Sequence, residues 1–254
     1  MALSYFLLLI MFSASDDNWI TEKHKGYNLV YTPTDKQNKE EYALLVDNGL
    51  RSVRAFFGPH YRKLFSIYIH PGRHSLDSTW QKDWGMPDFK SECWMVASGM
   101  ATKLDVISPK RWDKEACEHR YAETKHTQQL IVHELVHVYH GQLNVSPDFS
   151  NAEGIDWFVE GLATYASGQL DSVRMLEIKK AISDNQIPGQ LNDFWTGKMR
   201  YGLSGSVVMF IDKKYGRAKL IELLPFTKKS DLLLSLKSTE SELLAGWSAY
   251  VRGL

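Results

Sequence analysis

Neither sign of charge predominates in this sequence: 30 Lys and Arg balance 30 Asp and Glu across 254 residues. That balance counts against a nucleic-acid binder, which presents a basic face to neutralise phosphates. The short basic clusters at Lys228-Lys229 and from Arg51 to Arg54 read as solvated helix faces. There is no internal repeat, low-complexity tract or long linker, so residues 16–254 read as a single domain. No apolar run approaches the roughly 20 residues of a stable membrane span. Cysteine is scarce, with only Cys93 and Cys117 present. Neither lies in a close Cys-x-x-Cys pairing, so metal ligation by this pair is not expected. In an oxidising compartment the two can form a disulfide, whose closed loop would stabilise the fold by about 3 kcal/mol. Two buried thiols are the alternative.

What is present is an ordinary globular composition: 44% hydrophobic, with 12 Tyr, 11 Phe and 8 Trp. A core of that content offsets the entropy cost of ordering the chain. Residues 3–12 are almost unbroken apolar, and Ser13-Ala14-Ser15 and Asp16-Asp17 follow. This is the pattern of a secretory signal peptide spanning residues 1–15, which makes the mature protein secreted or periplasmic. No Lys or Arg precedes the run, and a buried N-terminal helix or strand is the competing reading.

The first half reads as mixed strand and helix. Residues 27–32 and 65–70 have strand character, and residues 40–57 carry apolar groups at helical spacing. An irregular Trp-rich segment is expected over residues 80–94, then a strand or hairpin over 96–108. The second half reads as helical over 122–140, 157–167, 172–183, 204–214, 217–224 and 240–252, with a polar loop at 144–153. Strands first and helices later predict an α+β domain: a small N-terminal mixed sheet with helices, a mainly helical C-terminal half, and a cleft between them.

The strongest local feature is His133-Glu134-Leu135-Val136-His137. On a helix, positions four apart share a face, so the two imidazoles can converge on one Zn²⁺. Glu134 projects from an adjacent angle, where it can reach a water on the ion. Such a five-residue pattern arises by chance in about one chain in a hundred of this length, so the flanks must decide. Leu130, Ile131, Leu135, Val136 and Val138 would bury the motif. Glu160, inside the otherwise apolar Trp157-Phe158-Val159-Glu160-Gly161-Leu162-Ala163, needs a partner, because an unpaired buried carboxylate is costly. Three protein ligands with a fourth position open is the catalytic arrangement of zinc.

These two blocks, HELVHVYHG and WFVEGLATY, resemble those of the gluzincin zinc metallopeptidases, in particular the aminopeptidase N-like group and the peptidase MA-like domains. The resemblance implies a zincin-like fold, one Zn²⁺ per chain held by His133, His137 and Glu160, and Glu134 as catalytic base. It also implies a peptide or protein substrate. Residues 138–159 separate His137 from Glu160, a few more than in aminopeptidase N relatives, and Asp156 falls nearer the shorter spacing. Glu160 is preferred, since it alone has the E-G-x-A surroundings. No G-x-M-E-N segment occurs, which separates the chain from enzymes that use it to hold a free amino terminus. Arg200 to Val208 resembles the part of MA-like domains where a tyrosine precedes a helix. Tyr201 is therefore the candidate hydrogen-bond donor to a developing oxyanion, or else an ordinary half-buried tyrosine. His140 reads as packing or as support to the ligands, Thr164 as a helix threonine or a ligand-orienting group, and His74, His119 and His126 as solvated or hydrogen-bonded. Trp80, Trp84, Trp94 and Trp112 either line a cleft or pack the core. Two rival functions share the same residues: a secreted non-catalytic zinc-binding module, and a zinc hydrolase of non-peptide amides.

Overall fold

The computed structural model describes residues 18–58 and 61–254. The expected signal peptide lies outside the described residues, among which no helix is long and apolar enough to cross a membrane. The architecture is α+β, with one five-stranded sheet and ten α-helices among the described residues.

The sheet contains β1 (Ile20–Lys23), β2 (Tyr27–Tyr31), β3 (Phe65–His70), β4 (Ala97–Met100) and β5 (Lys103–Ile107), in the spatial order β1-β2-β3-β5-β4. Strands β2, β3 and β5 run parallel, and the edge strands β1 and β4 are antiparallel to their neighbours. The parallel strands are rich in apolar residues because both faces are covered: Leu29, Leu104 and Val106 are fully buried. Helix α1 (Lys39–Phe57) connects β2 to β3 and packs against α4 (Thr124–Leu143).

Residues 80–94, expected from sequence to be irregular, are instead helical at their start. Helix α2 (Arg73–Asp83) carries Trp80 into the core, where its ring stacks on Trp84 at 4.8 Å. Only Leu76 and Trp80 of this helix are buried, too few apolar positions to register as a periodic face. After α2 the chain is clamped. Cys93 and Cys117 form a disulfide, and the Arg73 guanidinium donates to the carbonyls of Glu92, Cys93, Met95 and Glu115. Cys117 follows the short α3 (Trp112–Glu115).

The second half comprises α5 (Asp156–Ala166), α6 (Ser172–Ser183), α7 (Arg200–Tyr215), α8 (Arg217–Glu222), α9 (Lys229–Ser235) and α10 (Glu240–Gly253). Strand β1 and helices α3 and α9 have no counterpart in the sequence reading, being too short to show a period. Helix α4, whose sequence at residues 122–140 reads as an amphipathic stretch, is instead buried on all sides over most of its length. Every residue from Leu130 to Gln142 is buried, because α1, α5 and β4 pack around it. Polar groups placed there must find partners or a function. Gln142 shows the first outcome, accepting from the Arg62 and Lys63 amides at 2.7 and 2.9 Å and donating to the Ala101 carbonyl at 2.8 Å. It ties the end of α4 to the β4–β5 turn.

Candidate metal centre

The polar groups in the middle of α4 show the second outcome. His133 and His137, one turn apart, face the cleft together, and α5 brings Glu160 to meet them. The three donor atoms form a triangle: the two imidazole Nε2 atoms are 3.1 Å apart, and Glu160 Oε2 lies 3.3 Å from that of His133 and 3.6 Å from that of His137. Ligand atoms on a tetrahedral zinc, at about 2.0–2.1 Å, are separated by about 3.3 Å. The triangle therefore has the dimensions of one face of such a site.

The tautomer fits as well. His133 Nδ1–H donates to the Gln169 side-chain carbonyl at 2.8 Å, so the Nε2 of the neutral ring carries a lone pair aimed into the triangle. The His133 lone pair and the Glu160 carboxylate thus face one point, an arrangement that a cation between them would complete. Burial pushes the Glu160 carboxyl up, but the facing His137 and His133 rings pull it well below the ordinary carboxylate range. Glu160 remains one-quarter exposed, on the cleft side.

Glu134 behaves differently. Burial pushes its carboxyl up to about 7, assisted by Glu160 and opposed by His133 and by a hydrogen bond from the Gly99 amide. That bond exists because β4 lies against α4. A Cβ at Gly99 would sit 2.3 Å from the Glu134 carbonyl oxygen and 3.0 Å from His137 Cβ, so only glycine permits the approach.

Tyr201 lies in the first turn of α7 rather than before it, since the helix starts four residues earlier than its apolar spacing suggested. Its ring meets that of His133 at 6.2 Å. Burial and then Glu160 push its hydroxyl up to about 12, so it keeps its proton and can donate. Asp156 begins α5 and is not part of the triangle. Burial, with Glu160 one turn away, raises its carboxyl.

Among the described residues, the remaining histidines stand apart from the three donors. His140 is fully buried, donates from Nε2 to the Leu224 carbonyl at 3.1 Å and packs on Phe149; burial pushes its ring down to about 3. His119 bonds the Trp94 carbonyl and His126 pairs with Glu123 on the surface, while His74 is exposed. Thr164 is not among the residues lining the cleft, and its methyl packs against Gly205. Of the four tryptophans, Trp80, Trp84 and Trp94 border the cleft. Trp112 is core, its Nε1–H bonded to the Ile107 carbonyl.

Two contributors escaped the sequence reading. Gly99 left a faint signal, as a lone glycine inside a strand pattern. Gln169 left none: it reaches His133 because the chain turns back at Gly168 (φ 75°) after α5. Together these groups line a cleft of about 1230 Å³ bounded by α4, α5, α7 and the edge strand β4. A cation held by the triangle would have its remaining coordination positions open to that cleft.

No protein-family model matches the sequence, and no curated protein matches it. Among solved structures the chain is similar to a two-domain M1 zinc metallopeptidase mutant bound to L-tryptophan, at 15% identity and a TM-score of 0.46, covering 91% of this chain and 51% of that one. It is similar also to an M1 zinc metallopeptidase from Deinococcus radiodurans, at 15% identity and a TM-score of 0.45, covering 89% and 47% of the two chains. The chain thus spans about half the length of these structures.

Proposed function

We propose that this chain is a zinc-dependent metallopeptidase with a zincin-like catalytic domain, holding one Zn²⁺ on His133, His137 and Glu160. The observation that carries the reading is the donor triangle, with edges of 3.1, 3.3 and 3.6 Å, supported by the His-Glu-x-x-His spacing and its E-G-x-A companion. When bound, the ion supplies Lewis acidity towards water and a carbonyl oxygen.

The chain's own groups do the rest. Glu134 takes a proton from the attacking water and passes it to the leaving amine, and its raised carboxyl is poised for both steps near neutral pH. Tyr201, protonated throughout, donates a hydrogen bond to the oxygen on which negative charge develops. Strand β4 is an edge whose outer side borders the cleft; an extended peptide can pair with it and lie across the donor triangle. The disulfide fits an exported protein working in an oxidising compartment.

The test combines metal analysis with digestion of a broad peptide mixture, with and without chelator, for the protein and its Glu134→Gln variant. One zinc per chain is expected in both, with chelator-sensitive cleavage only where Glu134 is present. Cleavage by the variant would remove Glu134 from its role. A zinc-loaded protein that cuts no peptide would sink the peptidase reading.

A further inference from the structure

One strong feature of the cleft takes no part in the mechanism above. Arg200, the first residue of α7, lines the cleft next to Tyr201. Its guanidinium carbon lies 4.5 Å from the centre of the Trp94 ring, 5.2 Å from that of Tyr201 and 5.4 Å from that of Trp195. Trp195 and Tyr201 brace each other edge to face at 4.9 Å, and Trp94 is fixed by the adjoining disulfide at Cys93. Three aromatic faces thus hold one cation in place.

Aromatic rings attract a guanidinium but do not neutralise it. No carboxylate among the described residues lies within 4.0 Å of Arg200, and its buried Nε has no hydrogen-bond partner. Other arginines are satisfied: Arg73 by five side-chain bonds, Arg217 by both oxygens of Asp212. Lys198, two residues earlier, also borders the cleft, is exposed and forms no ion pair within 4.0 Å among the described residues. The guanidinium donates a hydrogen bond to the neutral Tyr201 hydroxyl, but a rigidly held, partly buried cation without a counter-ion costs free energy unless an anion completes it. Its planar fork suits a carboxylate, which can take two parallel N–H donors.

We propose that Arg200, assisted by Lys198, receives a carboxylate of the substrate. The proposal rests on the peptidase reading of the same cleft and names its substrate class: peptides carrying a negative charge close to the bond that is cut. The Tyr201 ring lies 5.2 Å from the Arg200 guanidinium and 6.2 Å from the His133 ring, so those two are at most about 11 Å apart. An extended chain rises about 3.3 Å per residue, which puts that charge within about three residues of the metal centre. The carboxylate is either a free C-terminus or an acidic side chain.

Calorimetric titration of the full-length Glu134→Gln protein, zinc-loaded and zinc-free, separates these sources. The probes are N-acetyl-tetraalanine, its C-terminal amide, and that amide with one alanine replaced by aspartate. One or both carboxylate-bearing probes should bind at least about tenfold more tightly than the plain amide in either metal state. The tighter of the two identifies the source. Adding Arg200→Met should bring all three within about twofold, and Arg200→Lys should retain part of the preference; thermal melting of each variant confirms that it is folded. Equal affinities in the Arg200 protein, no measurable binding of any probe, or a preference that survives Arg200→Met would each overturn the proposal. Failure of the peptide digest alone would instead strike at the peptidase reading, since binding through Arg200 requires no turnover.

Discussion

Glu134 and Glu160 stand in the same cleft, yet their surroundings drive them in opposite directions. Glu160 faces two imidazoles and is held ionised, whereas burial pushes Glu134 up to about 7. The ligand and base roles proposed for the two carboxylates are thus separated by environment rather than by residue type. A single amide supports the arrangement from behind: with Gln169 accepting from Nδ1, His133 presents its Nε2 lone pair. Gln169→Ala frees the ring to rotate and change tautomer. It is expected to weaken zinc binding by about 10- to 100-fold with little change in melting temperature. Competition with a chromogenic chelator measures this, and unchanged affinity would mean that packing alone orients the ring.

At the scale of elements, the site depends on how closely β4 approaches α4. Gly99→Ala places a Cβ where the Glu134 carbonyl and His137 Cβ already sit. Neither neighbour is a flexible side-chain tip, so strand or helix must move, at a cost of about 2 kcal/mol. A lower melting temperature together with weaker zinc binding is the expected result; a melting curve that matches the parent's would show that the strand yields freely. A second junction joins α5, α7 and α8. Asp212 accepts from the Tyr165 hydroxyl at 2.8 Å and from Arg217 Nε and Nη2 at 2.7 Å each. Burial alone would raise the Asp212 carboxyl, but Arg217 and Tyr165 pull it below its ordinary value. The resulting stability is fully present above the unfolded value of about 4 and is lost as pH falls through the folded one. Asp212→Asn should therefore cost about 2 kcal/mol near neutrality, and the gap in urea midpoint between parent and variant should narrow below about pH 4. A gap that stays constant with pH would show that Arg217 contributes little.

Across the whole molecule, the sheet and the helical half meet along the cleft, and the Cys93–Cys117 disulfide secures the wall that carries Trp94. Replacing both cysteines by serine should lower stability by about 3 kcal/mol and loosen the aromatic seat of Arg200, read as a fall in melting temperature. Equal melting of parent and double variant would show that the Arg73 bonds suffice. Most elements were legible beforehand: β2, β3, α1, α5, α6 and α10 fall close to their expected bounds, since each carries several turns or alternations of apolar residues. The shorter β1, α3 and α9 were not, nor was the polar α2.

The amino-acid sequence by itself determined the spacing of His133, Glu134 and His137, which one helical turn sets without a distant partner. The preference for Glu160 over Asp156 came instead from the resemblance of its E-G-x-A surroundings. Only the tertiary structure decided that Glu160 closes a triangle with both imidazoles, that Gln169 and Gly99 serve the same site, and that Trp94 packs on Arg200. Those pairings join residues far apart in the chain, and packing of whole elements, which leaves no local period in sequence, brings them together.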